Sequence, residues 1–405
     1  MEKSHSGTSL KFAIALGTIS ALGPSAVDMY LPSLPEMAVD YSTSVASIQL
    51  TLTVFLLAMG LGQLLFGPVV DALGRRRPLM AGLLLFSLSA LAAAAAPTLE
   101  WLLLARFAQG IGSALTLVVI MSMVRDVTQG VQAAKLFGLL LTIQGVAPII
   151  APGLGGYIEV HFGWRAVMLV LAILGALVAV NSMAVLPETL PVQKREPLNM
   201  TRAICTYARI AKDSRFLRPA LALSSLFFFL FAYVGGATFV YQNEYGLPVA
   251  QFGTLFGATG IAILIGAVVA ARLVGKHGLT RIATAGAFCI FAGSIIAYGA
   301  AVSGSGLYWL AAGVAIALLG LGMAETTLMT LVMSSQSTAL GSTAALLGAF
   351  QLGISAFATP LTGWASSHGA TAWCSFLIGC AVLVGALTWI SVRQGRAEHI
   401  IALTH

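Results

Sequence analysis

The sequence predicts an all-α membrane protein, twelve transmembrane helices arranged as two pseudo-symmetric six-helix bundles. Three observations predict it. Its 405 residues are 58% hydrophobic and only 9% charged, far from the roughly 25% charged of a soluble domain. Charges and clusters of Gly, Pro and Ser cut the chain into twelve apolar runs, each close to the about 20 helical residues needed to cross about 30 Å of hydrocarbon. One long polar stretch, 187–218, divides these runs six and six. The alternation of a membrane barrel is absent, so helices remain as the way to satisfy every backbone group in lipid.

Taken in order, the first run, 11–33, contains Asp28 and leads to Pro32 and Pro35. It is longer than the apolar core of a signal peptide and has no small-residue cleavage site, so it reads as a retained span. The second, 47–70, enters a charged hairpin in which Asp71 and three arginines, Arg75, Arg76 and Arg77, interrupt two long uncharged runs. The third is 79–96, and the fourth, 101–123, carries Arg106. The fifth, 136–158, holds Pro148, Pro152, Gly155 and Gly156, and the sixth is 165–186. After the polar stretch follow 219–242, 252–273, 281–302, 307–331, 341–364 and 371–392. The domain organisation expected is therefore a bundle over 1–187, a cytosolic loop over 188–218 and a second bundle over 219–405.

Orientation follows from the basic residues. With Lys3 and Lys11 in the cytosol and each span reversing direction, 19 of the 21 Lys and Arg fall on the cytosolic side, seven of them in the central loop. The exceptions are Arg165, in the loop before the sixth span, and Arg106. This is the distribution that the positive-inside rule demands, with both termini cytosolic, and it assigns the net charge of +7 to topology rather than to nucleic acid.

The halves echo one another. Gly67-x-x-x-Asp71 after the second span has a degenerate counterpart in Gly266-x-x-x-Ala270 after the eighth, and Gly145 precedes Pro152 by seven residues as Gly353 precedes Pro360. Matching interrupted helices in two halves point to a transporter whose site lies between them near the midplane, reached by alternating access.

Asp28 and Arg106 are charges within apolar helices. Such a residue costs about 2.5 to 3.5 kcal/mol on insertion scales, so it faces the bundle interior and marks a transport function. The expected arrangement puts both at comparable depth, where Asp28 loads and releases a proton as its access and its distance from Arg106 change; a fixed ion pair is the alternative. Glu325, in the inner part of the tenth span, is a possible second ionisable site, a contact for a cationic substrate, or a solvated vestibule residue. The Pro and Gly cluster of the fifth span suits a bent helix that packs or gates at the outer side. Asp71 with the arginines suits an inner latch that pairs in one conformation and releases in the other. For substrate contacts the candidates are Tyr30 and Gln109, beside the two charges, and Phe229 and Tyr233, which share a face of the aromatic-rich seventh span. Phenylalanines turned to lipid are the bland alternative there.

Absences bound the chemistry. There is no G-x-x-x-x-G-K-[ST] loop, so an ion gradient must drive uphill transport, and no H-E-x-x-H; the six histidines fall in loops or tails. Cys205, Cys289, Cys374 and Cys380 have no spacing for a metal or a disulfide framework, so neither metal nor organic cofactor is expected.

The stretch Gly67-Pro68-x-x-Asp71-Ala72-Leu73-Gly74-Arg75-Arg76-Arg77 resembles the loop signature of the major facilitator superfamily, with Ala72 where a basic residue is usual. Leu102-x-x-x-Arg106-x-x-Gln109-Gly110-x-Gly112-Ser113-Ala114 resembles its fourth-span signature, and 147–156 its fifth-span antiporter signature, with Ala147 and Ala151 where glycine is usual. Asp28-Met29-Tyr30-Leu31-Pro32-x-x-Pro35 and Gly62-Gln63-x-x-Phe66-Gly67-Pro68 are similar to the bicyclomycin and chloramphenicol exporters of the twelve-span drug:proton antiporters. The resemblance implies the major facilitator fold and proton-coupled efflux of amphipathic drugs across the cell inner membrane by a monomer, with Asp28 and Arg106 in proton coupling. It implies an inner gate at Gly67, Asp71, Gly74 and Arg75 to Arg77 and an outer gate at Pro148, Pro152, Gly155 and Gly156. A proton-coupled carrier of a metabolite with the same fold is the alternative; an enzyme is not expected.

Overall fold

The computed structural model describes residues 10–336 and 339–403, the side chains of Val131, Ala134 and 394–403 aside. Lys3, His5 and His405 lie outside the described residues, as do the side chains of Arg396 and His399. Among the described residues twelve helices are long and apolar enough to cross a membrane. In the first half they are Leu10–Asp40, Val45–Leu73, Arg76–Ala94, Leu99–Val127, Lys135–Phe162 and Trp164–Val185. In the second they are Ser214–Glu244, Val249–His277, Leu279–Ser303, Leu307–Ser334, Leu340–Ser366 and Ala370–Arg393. No strand occurs among the described residues.

Packing is pseudo-symmetric. In the first half the second span packs on the fourth, the third on the fourth and sixth, and the first on the fifth. In the second half the eighth packs on the tenth, the ninth on the tenth and twelfth, and the seventh on the eleventh. The same relation governs the seam between halves, where the fifth span meets the eighth and the second meets the eleventh. Small residues bring backbones together, since lipid supplies no hydrophobic drive between helices. Gly82 lies against Gly112 between the third and fourth spans, and Gly286 against Gly320 between the ninth and tenth.

The structure revises the repeat. The second and eighth spans have 29 residues each, and each is followed by a glycine in the left-handed region, Gly74 at φ +89° and Gly278 at +79°. Counting back from those turns puts the counterpart of Asp71 at Gly275, not at Ala270. Gly266 and Ala270 are packing positions instead: Gly266 abuts the carbonyl of Leu319, and Ala270 is fully buried with Ile282 and Met323.

The interrupted helices also differ from expectation. The eleventh span breaks at Ala356–Phe357, between Leu340–Ser355 and Ala358–Ser366, but the fifth is one helix, Gly130–Phe162, running through Pro148 and Pro152. The first span ends its main helix at Asp28, passes through a tight turn at Leu31–Ser33 with Pro32, and resumes as Leu34–Asp40. The central stretch is not only a loop: Asn199 caps the helix Met200–Lys212 by accepting from the Arg202 N–H at 2.8 Å. Its Ile210 is buried, and the Tyr207 hydroxyl donates to the Leu64 carbonyl at 3.1 Å. Two histidines expected in loops, His161 and His277, sit in the last turns of helices.

Candidate functional site

Between the halves lies a cavity of about 680 Å³, lined by the first, second, fourth, fifth, seventh, eighth, tenth and eleventh spans. That volume suits a drug-sized ligand. Aliphatic side chains make up much of the wall, joined by methionines and aromatics, among them Met59, Met329, Phe227, Phe231 and Phe256. Asp28, Glu325, Tyr233 and three glutamines, Gln63, Gln144 and Gln351, are set into it. The cavity continues past Asp71 and Arg125 to the helix Met200–Lys212, at what is here termed the basic end.

Asp28 is the last residue of the first helix, buried at 5% exposure, and its side chain lines the cavity. Arg106 is fully buried and does not line it. The depth expected from the sequence is met, since the Arg106 Nη2 donates to the carbonyl of Ala26 at 2.9 Å, two residues before Asp28. No ion pair joins the two charges among the described residues. Arg106 instead lies between two rings, its guanidinium 4.3 Å from the Tyr30 centroid and 4.5 Å from that of Phe55, and donates from Nη1 to Gln109 Oε1 at 2.6 Å. Two cation–π contacts and two hydrogen bonds offset part of the cost of burying the charge.

This packing decides the substrate candidates. Tyr30 stands under Arg106 with its hydroxyl 3.1 Å from Thr51 Oγ1, Gln109 is committed to Arg106, and Phe229 is buried in the seventh span's packing; none lines the cavity. Tyr233 does, held by stacking on Phe256 at 5.2 Å and a 2.7 Å bond between its hydroxyl and that of Thr259. Of the seventh span's aromatics, Phe229, Phe231, Tyr233, Phe239 and Tyr241 are buried, while Phe227, which lines the cavity, and Phe228 are half-buried. Glu325 lines the cavity with Asp28. Among the described residues no three His, Cys, Asp or Glu side chains converge to hold a metal.

At the basic end Arg75 is the hub. Its side chain is 6% exposed and donates from Nη1 to Asp71 at 2.7 Å and from Nε and Nη2 to both oxygens of Asp126 at 2.8 and 3.3 Å. Burial alone lowers the pKa of Arg75, but the bonds and charges of Asp126 and Asp71 outweigh it and hold the group above its usual value. Glu188 accepts from the backbone N–H groups of Arg75 and Arg76 at 2.9 and 3.3 Å, tying the end of the sixth span to this hairpin. Burial would raise the Glu188 carboxyl, yet these N–H groups and Arg195 bring it below the usual value, so it stays charged. Arg76 donates to the Met183 carbonyl at 2.8 Å, while Arg77 is exposed. Gly67 faces the Tyr207 hydroxyl, and Gly74 makes the turn. Asp126 and Glu188 escaped the sequence reading because acids beside arginines at span ends look like ordinary solvated charge.

The opposite end is closed. Within the first half a methyl group on Gly155 would run into the carbonyl of Met29, while across the seam one on Gly156 would come 2.9 Å from the carbonyl of Val249. Across the seam Gly253 meets the backbone of Pro152 and Gly153, and Gly257 that of Ile149. Side chains complete the closure between halves: Gln242 Nε2 donates to the Pro32 carbonyl at 3.0 Å, Gln49 Nε2 to the Gly235 carbonyl at 3.0 Å, and Thr53 and Thr359 share a hydroxyl bond at 2.6 Å. Pro148, one turn nearer the centre, lines the cavity. Glu159, also missed in the sequence because it borders the fifth span's apolar run, is buried and accepts from Ser33 Oγ at 2.6 Å.

The sequence pattern of the Major Facilitator Superfamily matches residues 16–355. An uncharacterized MFS-type transporter, YdgK of Bacillus subtilis, is 38% identical over 359 residues, covering 87% of this chain and 89% of its own length. A bicyclomycin resistance protein homolog of Haemophilus influenzae is 34% identical, over 68% of this chain and 70% of its own. The multidrug transporter MdfA of Yersinia pestis is 26% identical over 89% of each. Among solved structures, the xylose transporter XylE from E. coli superposes with a TM-score of 0.73 at 15% identity, covering 94% of this chain and 98% of that one. The nucleoside transporter NupG gives 0.71 at 17% identity, covering 94% and 99%. A shared twelve-helix fold, matching loop and fourth-span motifs and relatives above 30% identity agree: this chain is a membrane transporter of the major facilitator superfamily.

Proposed function

We propose that this transporter exports amphipathic, antibiotic-like compounds across the inner membrane in exchange for protons. The observation that carries the reading is the cavity: its wall is mainly apolar, Asp28 is set into it without a cation, and it runs to the basic end while the other end is sealed. The basic residues orient the basic end and both termini to the cytosol by the positive-inside rule, so the conformation is the one that loads drug from inside. A lone carboxyl in an apolar wall holds a proton until water or a cationic group reaches it. Drug entry then competes with that proton, and rocking of the halves about the seam between the fifth and eighth spans exposes the site on the other side. No cofactor takes part; the proton gradient is the energy source, and a single chain contains the whole path. The relatives whose names include bicyclomycin resistance and multidrug transport support drug as the cargo.

The test is drug accumulation in energised inverted membrane vesicles, wild type against Asp28→Asn, with chloramphenicol and tetraphenylphosphonium. Proton-driven accumulation by wild type and its loss in the equally expressed variant are expected. Unchanged accumulation in the variant moves the proton to Glu325, and no accumulation of either compound by wild type replaces drug efflux with carriage of a metabolite.

A further inference from the structure

The wall of the cavity carries polar groups that proton exchange does not use. Gln63 projects from the second span and Gln351 from the eleventh, two helices that pack against each other across the seam. Both are buried, at 9% and 7% exposure. The Gln63 amide lies on Gly348, where any side chain would collide with its oxygen, and Gln351 is one turn further on the same helix face. Gln63 and Gln351 therefore occupy successive turns of the same wall. Gln351 Nε2 is enclosed and has no hydrogen-bond partner, and Gln144 Nε2, on the fifth span in the opposite wall, is in the same condition.

A buried amide N–H without an acceptor costs about as much as a lost hydrogen bond, and buried donors are as a rule paired. Here the side chains that carry the unpaired donors line a ligand-sized space, within a rotation of the amide from it. Their chemistry also differs from that of the carboxylates: Asp28 and Glu325 when charged accept and attract cations, whereas a glutamine N–H donates and is indifferent to charge.

Building on the efflux reading, we propose that Gln351, supported by Gln63 and faced by Gln144, is a neutral donor subsite that selects substrates bearing carbonyl, amide or nitro oxygens on an apolar body. A substrate with such an oxygen binds across the seam, one acceptor against the spans that form one wall and, when a second is present, another against Gln144. Lipophilic cations without acceptor oxygens use the same cavity through the carboxylates and the apolar wall alone. Selectivity then resides in two separable sets of groups.

The experiment measures binding to the purified full-length protein in detergent, with chloramphenicol as the acceptor-bearing probe and tetraphenylphosphonium as the cation without an acceptor. Gln351→Met keeps length and flexibility and removes the amide. Its chloramphenicol Kd is expected to rise about 10-fold, the size of one lost hydrogen bond, with tetraphenylphosphonium binding unchanged. Gln351→Asn, which keeps a donor, recovers part of the loss. An equal fall for both probes makes Gln351 a packing residue and overturns the proposal, as does no change for either or no binding of chloramphenicol to wild type. Vesicle efflux is scored separately: binding selectivity without transport sinks the efflux reading and leaves the subsite, and transport without it does the reverse.

Discussion

Arg106 and Asp28 show how two buried charges at one depth take different duties. Arg106 is locked by Tyr30, Phe55, Gln109 and the Ala26 carbonyl, all on the first, second and fourth spans, and so stiffens the wall from behind. Asp28 has the cavity in front of it. The same contrast separates the partners of Arg75. Asp71 is 52% exposed and accepts one bond from Arg75, whereas Asp126 is 16% exposed and accepts two from Arg75 and a third from Thr189 Oγ1 at 2.9 Å. Asp71→Asn therefore lowers stability by at most about 1 kcal/mol, and Asp126→Asn by about 2 to 3 kcal/mol, because it removes the better-buried of the two carboxylates on the guanidinium. Thermal denaturation of the purified variants checks the order; a larger loss for Asp71→Asn would contradict it. Asp28 and Arg106 were legible in the sequence because a charge stands out in an apolar run. Helix spacing also put Gln109 beside Arg106, as the structure has it, but the Tyr30 and Phe55 rings over Arg106 were not legible, since which ring it meets depends on how three helices pack, and Asp126, Glu188 and the cavity glutamines carried no such contrast with their surroundings.

At the scale of elements, the hydropathy pattern located all twelve spans, though it ended the first at 33, before the turn at Leu31–Ser33 gives way to the helix Leu34–Asp40. It misjudged the fifth span, which stays helical through two prolines. Proline removes donors but its neighbours still pack, and here glycines let the eighth span approach the backbone at Ile149, Pro152 and Gly153. Close approach to the eighth span, at Gly253 and Gly257, is what the structure shows of this helix. Gly156→Ala is expected to press the fifth span off the Val249 carbonyl of the eighth at a cost of about 1 to 3 kcal/mol, enough to shift the balance of the two end-states about 10-fold toward opening of the sealed end. A cysteine at Leu31, fully buried in the closed end, reports it: labelling of Leu31→Cys by a membrane-impermeant maleimide in intact cells should rise in the Gly156→Ala background. Equal labelling in both backgrounds would show that the close contact is not what seals this end. The central helix Met200–Lys212 was hidden in the sequence by its basic residues, although Asn199 and the spacing of Ile204, Tyr207 and Ile210 carried the signal.

For the whole molecule, the seam repeats the symmetry of the halves: the fifth and eighth spans hold one side and the second and eleventh the other. Rocking exchanges these contacts as units, so a bond across the sealed end should stop the cycle. Pro32 and Gln242 touch across the seam at 3.0 Å. In a background lacking Cys205, Cys289, Cys374 and Cys380, the pair Pro32→Cys and Gln242→Cys is expected to lose vesicle drug accumulation on oxidation and recover it with reductant. Full activity while cross-linked would mean that transport does not require this end to open.

The claim on which the rest depends is that drug and proton compete at Asp28. It is tested most directly by adding chloramphenicol to purified protein in weakly buffered detergent solution and following pH. Wild type should release protons in proportion to drug bound, and Asp28→Asn should bind drug and release none. Release from Asp28→Asn equal to that of wild type would contradict the account and take the proton away from Asp28.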